Sequence, residues 1–265
     1  TDETSDIIEF NGPYNNTCFD IEAYGNQVWV ASGGYTSTWA KRWLNDGIYY
    51  YTNYEWNNLN KTNTEAFDTI CDFVTVAIDP LNSSKVYVGS YHEGLLEYEN
   101  FELKNIYNHT NSSLGLLVGY NYIYVTGLDF DSKNNLWIAN HGADKMLSVK
   151  TTENEWYSFN IGSSFISKLM VDNNDYKWIL TRDNTFIVYN DNNTISDSSD
   201  DRYKIIGKTI GQGGLHSEPN CMAVDKNGVV WVGTNDGLAL LILMAKIFEQ
   251  GAKYDAKRII ISLND

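Results

Sequence analysis

The chain has 265 residues and carries 34 acidic against 19 basic side chains, which gives a formal net charge of −15 at pH 7. An acidic excess of this size excludes a basic nucleic-acid surface and disfavours adsorption to an anionic membrane, so we expect partners that are neutral, cationic or protein. The 43% hydrophobic and 20% charged residues are typical of a globular chain and not of a disordered one.

The sequence contains no apolar run long enough to cross a bilayer. The longest, from Leu238 to Ala245, has eight residues, whereas a membrane-spanning helix needs about 18–20. We therefore predict no transmembrane segment. The sequence begins at Thr1 without an initiator methionine or a signal peptide, and we expect it to be a fragment of a longer chain.

Five similar phrases recur along the chain, and each begins with an apolar strand. A turn rich in Asp, Asn and Gly follows, and then a second strand that carries one aromatic residue. In chain order these aligned aromatic residues are Trp29, Tyr87, Trp137, Trp178 and Trp231. They are 58, 50, 41 and 53 residues apart, a spacing typical of four-stranded propeller blades with loop insertions.

The turns and the segments that follow them complete a four-stranded unit. Residues 172–175 and 225–228 supply Asp, Asn and Gly, which tolerate the positive φ of hairpin turns. A third strand follows in residues 94–98 and 186–189, and a fourth begins near an aromatic residue, as in residues 155–159. We expect each aligned aromatic ring to fill the wedge between two blades, where its burial stabilises the fold.

The sequence therefore predicts an all-β protein, a β-propeller of four-stranded blades that has seven blades when complete. We expect one incomplete propeller domain over residues 1–265, with about five blades and the start of another. The approximate blades are residues 16–60, 70–110, 122–162, 163–210 and 216–250, and residues 251–265 begin a further blade.

No pattern in the sequence predicts a metal or a cofactor. The turn residues Asp131, Asp172 and Asp225 resemble calcium ligands, but Lys177 stands where a calcium loop that starts at Asp172 requires Gly. We expect these carboxylates to accept hydrogen bonds from their own turns. The four histidines, whose spacing does not fit a zinc site, are His92, His109, His141 and His216.

Catalytic motifs are also missing from the sequence. It has no Gly-x-Ser-x-Gly nucleophile elbow, and residues 211–214 lack the Gly-Lys-Thr ending of a phosphate loop. The cysteines Cys18, Cys71 and Cys221 form no Cys-x-x-Cys pair, and we expect them to be buried small side chains at strand starts rather than reactive thiols. We predict that the protein is not an enzyme.

The loops between the second and third strands are candidates for a binding face, because the antiparallel order of a blade brings them to one side of a propeller. The longest, residues 33–43, contains two tryptophans, and exposed tryptophan is costly without a partner. The candidate ligand- or partner-binding residues are Tyr35, Trp39, Arg42, Trp43, Tyr91, His92, His141, Asp144, Arg182 and Asp236. The alternative is that these are solvated loop residues, with Trp39 and Trp43 packed over the adjacent blade.

Several phrases resemble known propeller families. Residues 231–238, Trp-Val-Gly-Thr-Asn-Asp-Gly-Leu, resemble the signature of two-component-regulator propellers. Four phrases in family order resemble the PorZ family of the type IX secretion system in Bacteroidota, namely residues 88–98, 107–114, 127–137 and 221–234. The ordered set covers most of the chain and is more specific than any single phrase.

The resemblance to the PorZ family implies a fold and a role. It implies the second of two seven-bladed propellers, in a longer chain that also has a C-terminal β domain. It also implies a non-catalytic subunit of the cell-surface attachment complex, exported to the outer membrane. The implied partners are a PorU-like sortase, a PorV-like barrel protein and a PorQ-like protein, together with anionic lipopolysaccharide.

Two other classes remain open. The propeller of a hybrid two-component regulator would lie in the periplasm, bind an oligosaccharide and signal through a downstream transmembrane helix. A propeller lyase or glycosidase would need converging carboxylates with shifted pKa in the central channel.

Overall fold

The computed structural model describes residues 11–163, 165–182, 185–207, 215, 217–241, 246–249 and 256–259. Twenty β-strands and two short 3-10 helices, Glu65–Asp68 and Ser198–Asp200, make up the regular structure of these residues. The predicted all-β class is therefore confirmed. Within the described ranges, neither helix has the length or the apolar character needed to cross a membrane.

The first three sheets are antiparallel and four-stranded, and they follow one another along the chain. The first comprises β1 (Asp20–Tyr24), β2 (Gln27–Ala31), β3 (Ile48–Thr52) and β4 (Glu55–Leu59). The second comprises β5 (Phe73–Ile78), β6 (Lys85–His92), β7 (Gly94–Glu99) and β8 (Glu102–Tyr107). The third comprises β9 (Ile123–Phe130), β10 (Leu136–His141), β11 (Leu147–Lys150) and β12 (Trp156–Phe159).

Two further sheets repeat the same order of strands. The fourth comprises β13 (Ile166–Val171), β14 (Lys177–Thr181), β15 (Phe186–Asn190) and β16 (Arg202–Ile206). The fifth comprises β17 (Pro219–Val224), β18 (Val230–Thr234), β19 (Gly237–Leu241) and β20 (Ala256–Arg258). We refer to the five sheets as blades one to five. The predicted total of seven blades in a complete ring stays a prediction.

The end of the chain differs from the sequence-based expectation. Residues 251–265 were expected to begin a further blade, but β20 pairs with β19 as the fourth strand of blade five. The reason is that an edge of β19 without a partner would expose backbone N–H and C=O groups, and β20 satisfies them by pairing with it. The other residues of 251–265, apart from Ile259, lie outside the described part of the chain.

The first turns of blades three, four and five are built on Asp131, Asp172 and Asp225, as predicted. Asp172 Oδ1 accepts the backbone N–H groups of Asn174 and Tyr176 at 2.8 and 3.0 Å, and its Oδ2 accepts Trp178 Nε1 at 2.9 Å. The same aspartate-to-tryptophan bond joins Asp131 to Trp137 and Asp225 to Trp231. One carboxylate thus closes the turn and orients the ring on the second strand, a structural role that requires no metal.

The aligned aromatic rings lie between blades, with one difference from expectation. Trp29, Tyr87, Trp137 and Trp178 are buried; Trp137 packs against Phe159 of its own blade and Tyr189 of the next. Trp231 is only half-buried.

The alternation of a β-strand explains the exposure of Trp231. Its neighbours Val230 and Val232 pack in a core shared with Trp178 of blade four, so Trp231 points to the opposite face of blade five. Nothing comparable covers that face within the described residues.

The cysteines follow the expectation at one position of three. Cys71 is buried, whereas Cys18 and Cys221 are exposed. The two exposed cysteines lie at or beside the innermost strands of blades one and five, where exposed positions alternate with more covered ones. Burial raises the pKa of the Cys71 thiol to about 11, so it is not a thiolate at neutral pH.

Blades two and three share a backbone connection on the face that carries the loops after the second strands. Strand β6 extends past its own blade, and Tyr91 and His92 pair with Tyr124 and Ile123 at the start of β9. This short antiparallel ladder carries the rings of Tyr91 and Tyr124 into direct contact.

Candidate binding cavity

A cavity of about 1070 Å³ opens on the face where loops of blades one to four meet. Its walls come from residues 39–43 after β2, Tyr91 in β6, residues 117–124 before and at the start of β9, and residues 141–146 at and after the end of β10. Residues 160, 162, 163 and 165 after β12 and Arg182 after β14 complete them. The loops after second strands and the connections between blades therefore emerge on the same face. Seven of the twenty lining residues are Phe, Trp or Tyr.

Six of the ten candidate residues line this cavity, and two more support it. The lining residues are Trp39, Trp43, Tyr91, His141, Asp144 and Arg182. Tyr35 stacks on Trp39 at 4.6 Å between ring centroids and contacts Tyr91 at 5.1 Å. His92 meets Trp43 edge-on at 5.4 Å.

Two candidate residues do not reach the cavity. Arg42 directs its side chain onto Gly34, because its neighbours Lys41 and Trp43 take the positions that face inward. Asp236 lies in the turn between β18 and β19 of blade five, while the cavity is built from blades one to four.

Arg182 is held in the cavity wall by aromatic groups. Its guanidinium carbon lies 4.1 Å from the centroid of the Trp39 ring, and Nη2 donates to Tyr91 Oη. Tyr91 Oη in turn donates to the carbonyl oxygen of Trp39 at 3.1 Å. Burial lowers the pKa of Arg182, yet a guanidinium remains protonated in proteins. Its buried Nε has no hydrogen-bond partner among the described residues, so one donor of a fixed cation is unused.

A row of tyrosines that was not among the predicted site residues forms a second wall. Tyr120, Tyr122 and Tyr124 stack in succession at 6.3 and 6.1 Å between centroids, and Tyr124 stacks on Tyr91 at 3.8 Å. Every second residue of 120–124 is tyrosine, and alternation of this kind places side chains on one face of an extended segment. That pattern was the available signal, in a connection between blades rather than in a loop after a second strand.

Lys41 is a second cation in the cavity wall, and it was not among the predicted site residues. Its Nζ lies 3.1 Å from the Tyr122 centroid and 4.3 Å from that of Trp43. The atom is buried and has no hydrogen-bond partner in the described part of the chain. Burial lowers the pKa of Lys41 to about 8, so the ammonium form still predominates at pH 7.

His141 is buried in the cavity wall as a neutral ring. Its Nδ1 lies 2.8 Å from the carbonyl oxygen of Ile166, and because a carbonyl only accepts, Nδ1 carries the proton. Burial, with a smaller contribution from the charge of Arg182, lowers the pKa of His141 to about 4. The charged lining residues are therefore Lys41 and Arg182 against Asp144, a cationic excess within a chain of net charge −15.

The loop that carries both tryptophans is anchored by blade two. Both Asp72 carboxylate oxygens accept backbone N–H groups, from Arg42, Trp43 and Leu44, at 3.1, 2.8 and 2.9 Å. Trp39 and Trp43 have φ of 63° and 59°, a left-handed conformation that is uncommon for bulky residues. Such conformations persist where surrounding contacts hold them. Asp72 supplies the contact at Trp43, whereas the Trp39 N–H donates to the carbonyl oxygen of Thr36 at 2.8 Å.

The central channel contains the carboxylates that a lyase or glycosidase would need. A pocket of about 300 Å³ between the innermost strands is lined in part by Asp20, Glu22 and Asp129, and burial raises the pKa of each, that of Asp129 to about 6. Both aspartates are engaged by the adjacent blade, however. Asp20 accepts the backbone N–H of Val76 at 3.0 Å, and Asp129 that of Val171 at 2.7 Å. Their geometry is that of inter-blade contacts.

The described residues contain no group of three or more His, Cys, Asp or Glu that could hold a metal ion. Cys71 Sγ and His92 Nδ1 lie 3.7 Å apart, a contact that brings no third ligand with it. Asp183, His216 and residues 211–214 lie outside the described part of the chain.

Fold and cavity together define a β-propeller whose loops build a cavity on one face. The model of the two component regulator propeller family matches residues 213–236. No curated protein matches the sequence.

Among solved structures, PorZ of Porphyromonas gingivalis is similar over 96% of this chain and 36% of its own, with a TM-score of 0.79 and 20% identity. That protein is described as an essential bacterial surface component of the type IX secretion system.

Two other structures show how widely the fold is used. The extracellular domain assigned to a hybrid two-component system of B. thetaiotaomicron matches 89% of this chain and 34% of its own, with a TM-score of 0.54 and 17% identity. Virginiamycin B lyase of Staphylococcus aureus matches 94% of this chain and 73% of its own, with a TM-score of 0.61 and 9% identity.

These comparisons confirm the predicted β-propeller class and the structural resemblance to PorZ. At 20% identity or less, the structural likeness establishes the fold alone. The chain spans about a third of the PorZ and sensor chains, 36% and 34%.

Proposed function

We propose that this chain is part of a non-catalytic recognition and assembly subunit of a type IX secretion system, exposed on the cell surface, and that the aromatic cavity is its binding site. The observation that carries the proposal is the similarity to PorZ over 96% of the chain at a TM-score of 0.79. By this resemblance the protein partners are a PorU-like sortase, a PorV-like barrel and a PorQ-like protein of the attachment complex.

The chemistry of the cavity supports an anionic ligand such as lipopolysaccharide. Within the described residues, neither Lys41 nor Arg182 lies within ion-pair distance of a carboxylate. Removing an unpaired cation from water is costly, so an acidic group on a ligand would satisfy a site that this chain leaves open. The faces of Tyr120 and Tyr122 offer apolar surface against which a sugar ring can pack.

Affinity purification of the tagged full-length protein from native outer membrane, followed by mass spectrometry, tests the assembly role. We expect a sortase-like protease and an outer-membrane barrel protein to remain bound. Recovery of the protein with glycans as its only bound species would contradict this role.

Binding of purified anionic lipopolysaccharide tests the ligand. Arg182→Gln removes the fixed cation, and because charge-assisted hydrogen bonds contribute about 1.5–3 kcal/mol, we expect affinity to fall by about tenfold or more. Lys104→Gln is the matched control, because Lys104 loses the same charge on β8 outside the cavity, where it pairs with Glu102. Equal affinity of the two variants would contradict the assigned site.

The alternative is the periplasmic oligosaccharide-sensing propeller of a hybrid two-component regulator. The family match at residues 213–236 and the similarity to the B. thetaiotaomicron extracellular domain support it. The same purification separates the two proposals, since a sensor would retain glycans without the secretion proteins.

A further inference from the structure

Lys41 occupies a cage of aromatic rings on one side of the cavity. We define this cage by Trp43, Tyr122 and Tyr124, whose ring centroids lie 4.3, 3.1 and 5.8 Å from Lys41 Nζ. An ammonium over the face of an aromatic ring is attracted by the negative face of its quadrupole, and several rings around one cation form the cages that recognise alkylammonium groups.

The ring faces are the main contacts of this ammonium. Lys41 Nζ is buried without a hydrogen-bond partner among the described residues, where it also lies beyond ion-pair distance of any carboxylate. Lysine Nζ has three donors, and a structural buried lysine uses them, as Lys177 does with Asp191 at 2.6 Å. The Lys41 ammonium is thus held by the faces of aromatic rings, as a bound alkylammonium ligand would be.

Two of the three rings of the cage are positioned by contacts that do not involve Lys41. Backbone N–H bonds to Asp72 fix Trp43, and Tyr124 is fixed by its ladder pairing with Tyr91. The backbone of Lys41, by contrast, has a single isolated bridge to Tyr35. Trp43 is 56% exposed, so the cage borders solvent and the Lys41 side chain has a path out of it.

From this geometry we infer that the cage is a binding site for the lysine side chain of a basic protein partner, with Lys41 as its resident occupant. The fit to lysine is shown by the occupant itself. The cavity lining as a whole has a cationic excess, but Glu93 and Asp72 place negative charge near the Lys41 ammonium. Together with the net charge of −15 of the whole chain, they attract a basic segment to this side of the cavity and speed its encounter. Because Lys41 is tethered next to the cage, it competes at a high effective concentration, so a partner lysine needs neighbouring contacts to replace it.

This site goes beyond the proposed function, because it assigns a cation site that the resemblance to PorZ does not suggest. Its test requires no secretion component and no lipopolysaccharide. Failure of the cage and failure of the type IX role are therefore separate results.

The test empties the cage in the full chain and offers it a small cation. In Lys41→Ala, n-propylammonium replaces the atoms that the substitution removes, and 1-propanol is the neutral control of the same shape. We expect the variant to bind n-propylammonium about tenfold more tightly than 1-propanol, the difference that a desolvated cation–π contact provides. Binding is followed by NMR of the cage residues. The unsubstituted chain should bind neither in the same concentration range.

Two further measurements control this result. The double variant Lys41→Ala/Tyr122→Ala should lose the preference for the cation. A peptide with one lysine should bind Lys41→Ala more tightly than the unsubstituted chain, and acetylation of that lysine should abolish the gain, since it removes the charge.

Equal binding of n-propylammonium and 1-propanol by folded Lys41→Ala, or binding of neither, would overturn the proposal. If that variant does not fold, NMR of the unsubstituted chain decides. The Lys41 ε-methylene protons should show an upfield ring-current shift, and its absence would overturn the cage.

Discussion

The imidazole of His141 is buried among aromatic rings and near the guanidinium of Arg182, so its protonation state affects the stability of the fold. Its side chain contacts the rings of Tyr91, Tyr124 and Phe165. Burial and the charge of Arg182 lower its pKa from 6.5 to about 4. Between these two values the unfolded chain binds more protons than the folded one, so the stability that neutral His141 contributes is present above pH 6.5 and lost as the pH falls towards 4.

Replacement of His141 by Gln should therefore flatten this part of the pH profile. Each pKa unit corresponds to 1.36 kcal/mol. We therefore expect protonation of His141 to lower the free energy of unfolding by about 2–3 kcal/mol between pH 7 and 4. Urea unfolding of both proteins at several pH values measures the difference in slope. Parallel profiles for the two proteins would show that His141 does not titrate as its burial requires.

Asp129 has the opposite effect on the pH dependence of stability. Burial raises its pKa from 3.8 to about 6, so between these values the folded chain binds more protons than the unfolded one, and its contribution to stability grows as the pH falls through 6. Asp129→Asn should remove this gain, and the variant should lose more stability on acidification than the unsubstituted chain. The same urea series measures it, and an unchanged pH dependence would contradict the assignment.

The blades differ in how well they cover their aromatic residues. Trp137 is fully buried between blades three and four, so Trp137→Ala should leave a cavity and cost about 3–5 kcal/mol. Trp231 occupies the equivalent repeat position but is half-buried, and Trp231→Ala should cost clearly less. Chemical denaturation of both variants gives the comparison, with Trp43→Ala as an exposed control. Equal losses at Trp137 and Trp231 would show that blade five is as well packed as blade three.

The loop after β2 depends on a single side chain of the next blade. Asp72→Ala removes the acceptor of three successive N–H groups in residues 42–44, so this loop should open locally more often. Trypsin cuts after Lys41 and Arg42, and we expect cleavage there to be faster by about tenfold while the rest of the chain stays resistant. Asp144→Ala removes a cavity carboxylate outside this loop and should leave cleavage unchanged; the same rate in both variants would rule out the anchor.

The repeat could be predicted from the sequence because blades three, four and five reuse one local device. An aspartate in the turn and an aromatic residue on the second strand, such as Asp172 and Trp178, are joined by a hydrogen bond within six residues of sequence. Contacts of this kind depend on local sequence, which is why strands and turns were predictable.

The cavity depends on contacts between residues far apart in sequence. Arg182 meets Trp39 and Tyr91 from another blade, and Lys41 meets Tyr122 across two blades. The geometric rule that loops after second strands share a face found Arg182 and Trp39. It did not find Lys41 or Tyr122, because which side chain of a loop turns inward depends on backbone conformations such as the left-handed Trp43.

Packing differs along the molecule, and this gradient should be visible in its dynamics. Every residue of β5, the innermost strand of blade two, is buried. In β17, the innermost strand of blade five, one residue is buried and the others are half-buried or exposed. Regions with fewer buried apolar contacts open at lower free-energy cost. Native-state hydrogen exchange should therefore be slowest in β6, β10 and β14 and faster by an order of magnitude or more in β18.

All four are second strands with neighbours on both sides, so differences between them report packing between blades and not hydrogen bonding within a blade. Uniform protection across the four strands would mean that the five blades open as one cooperative unit despite their unequal burial.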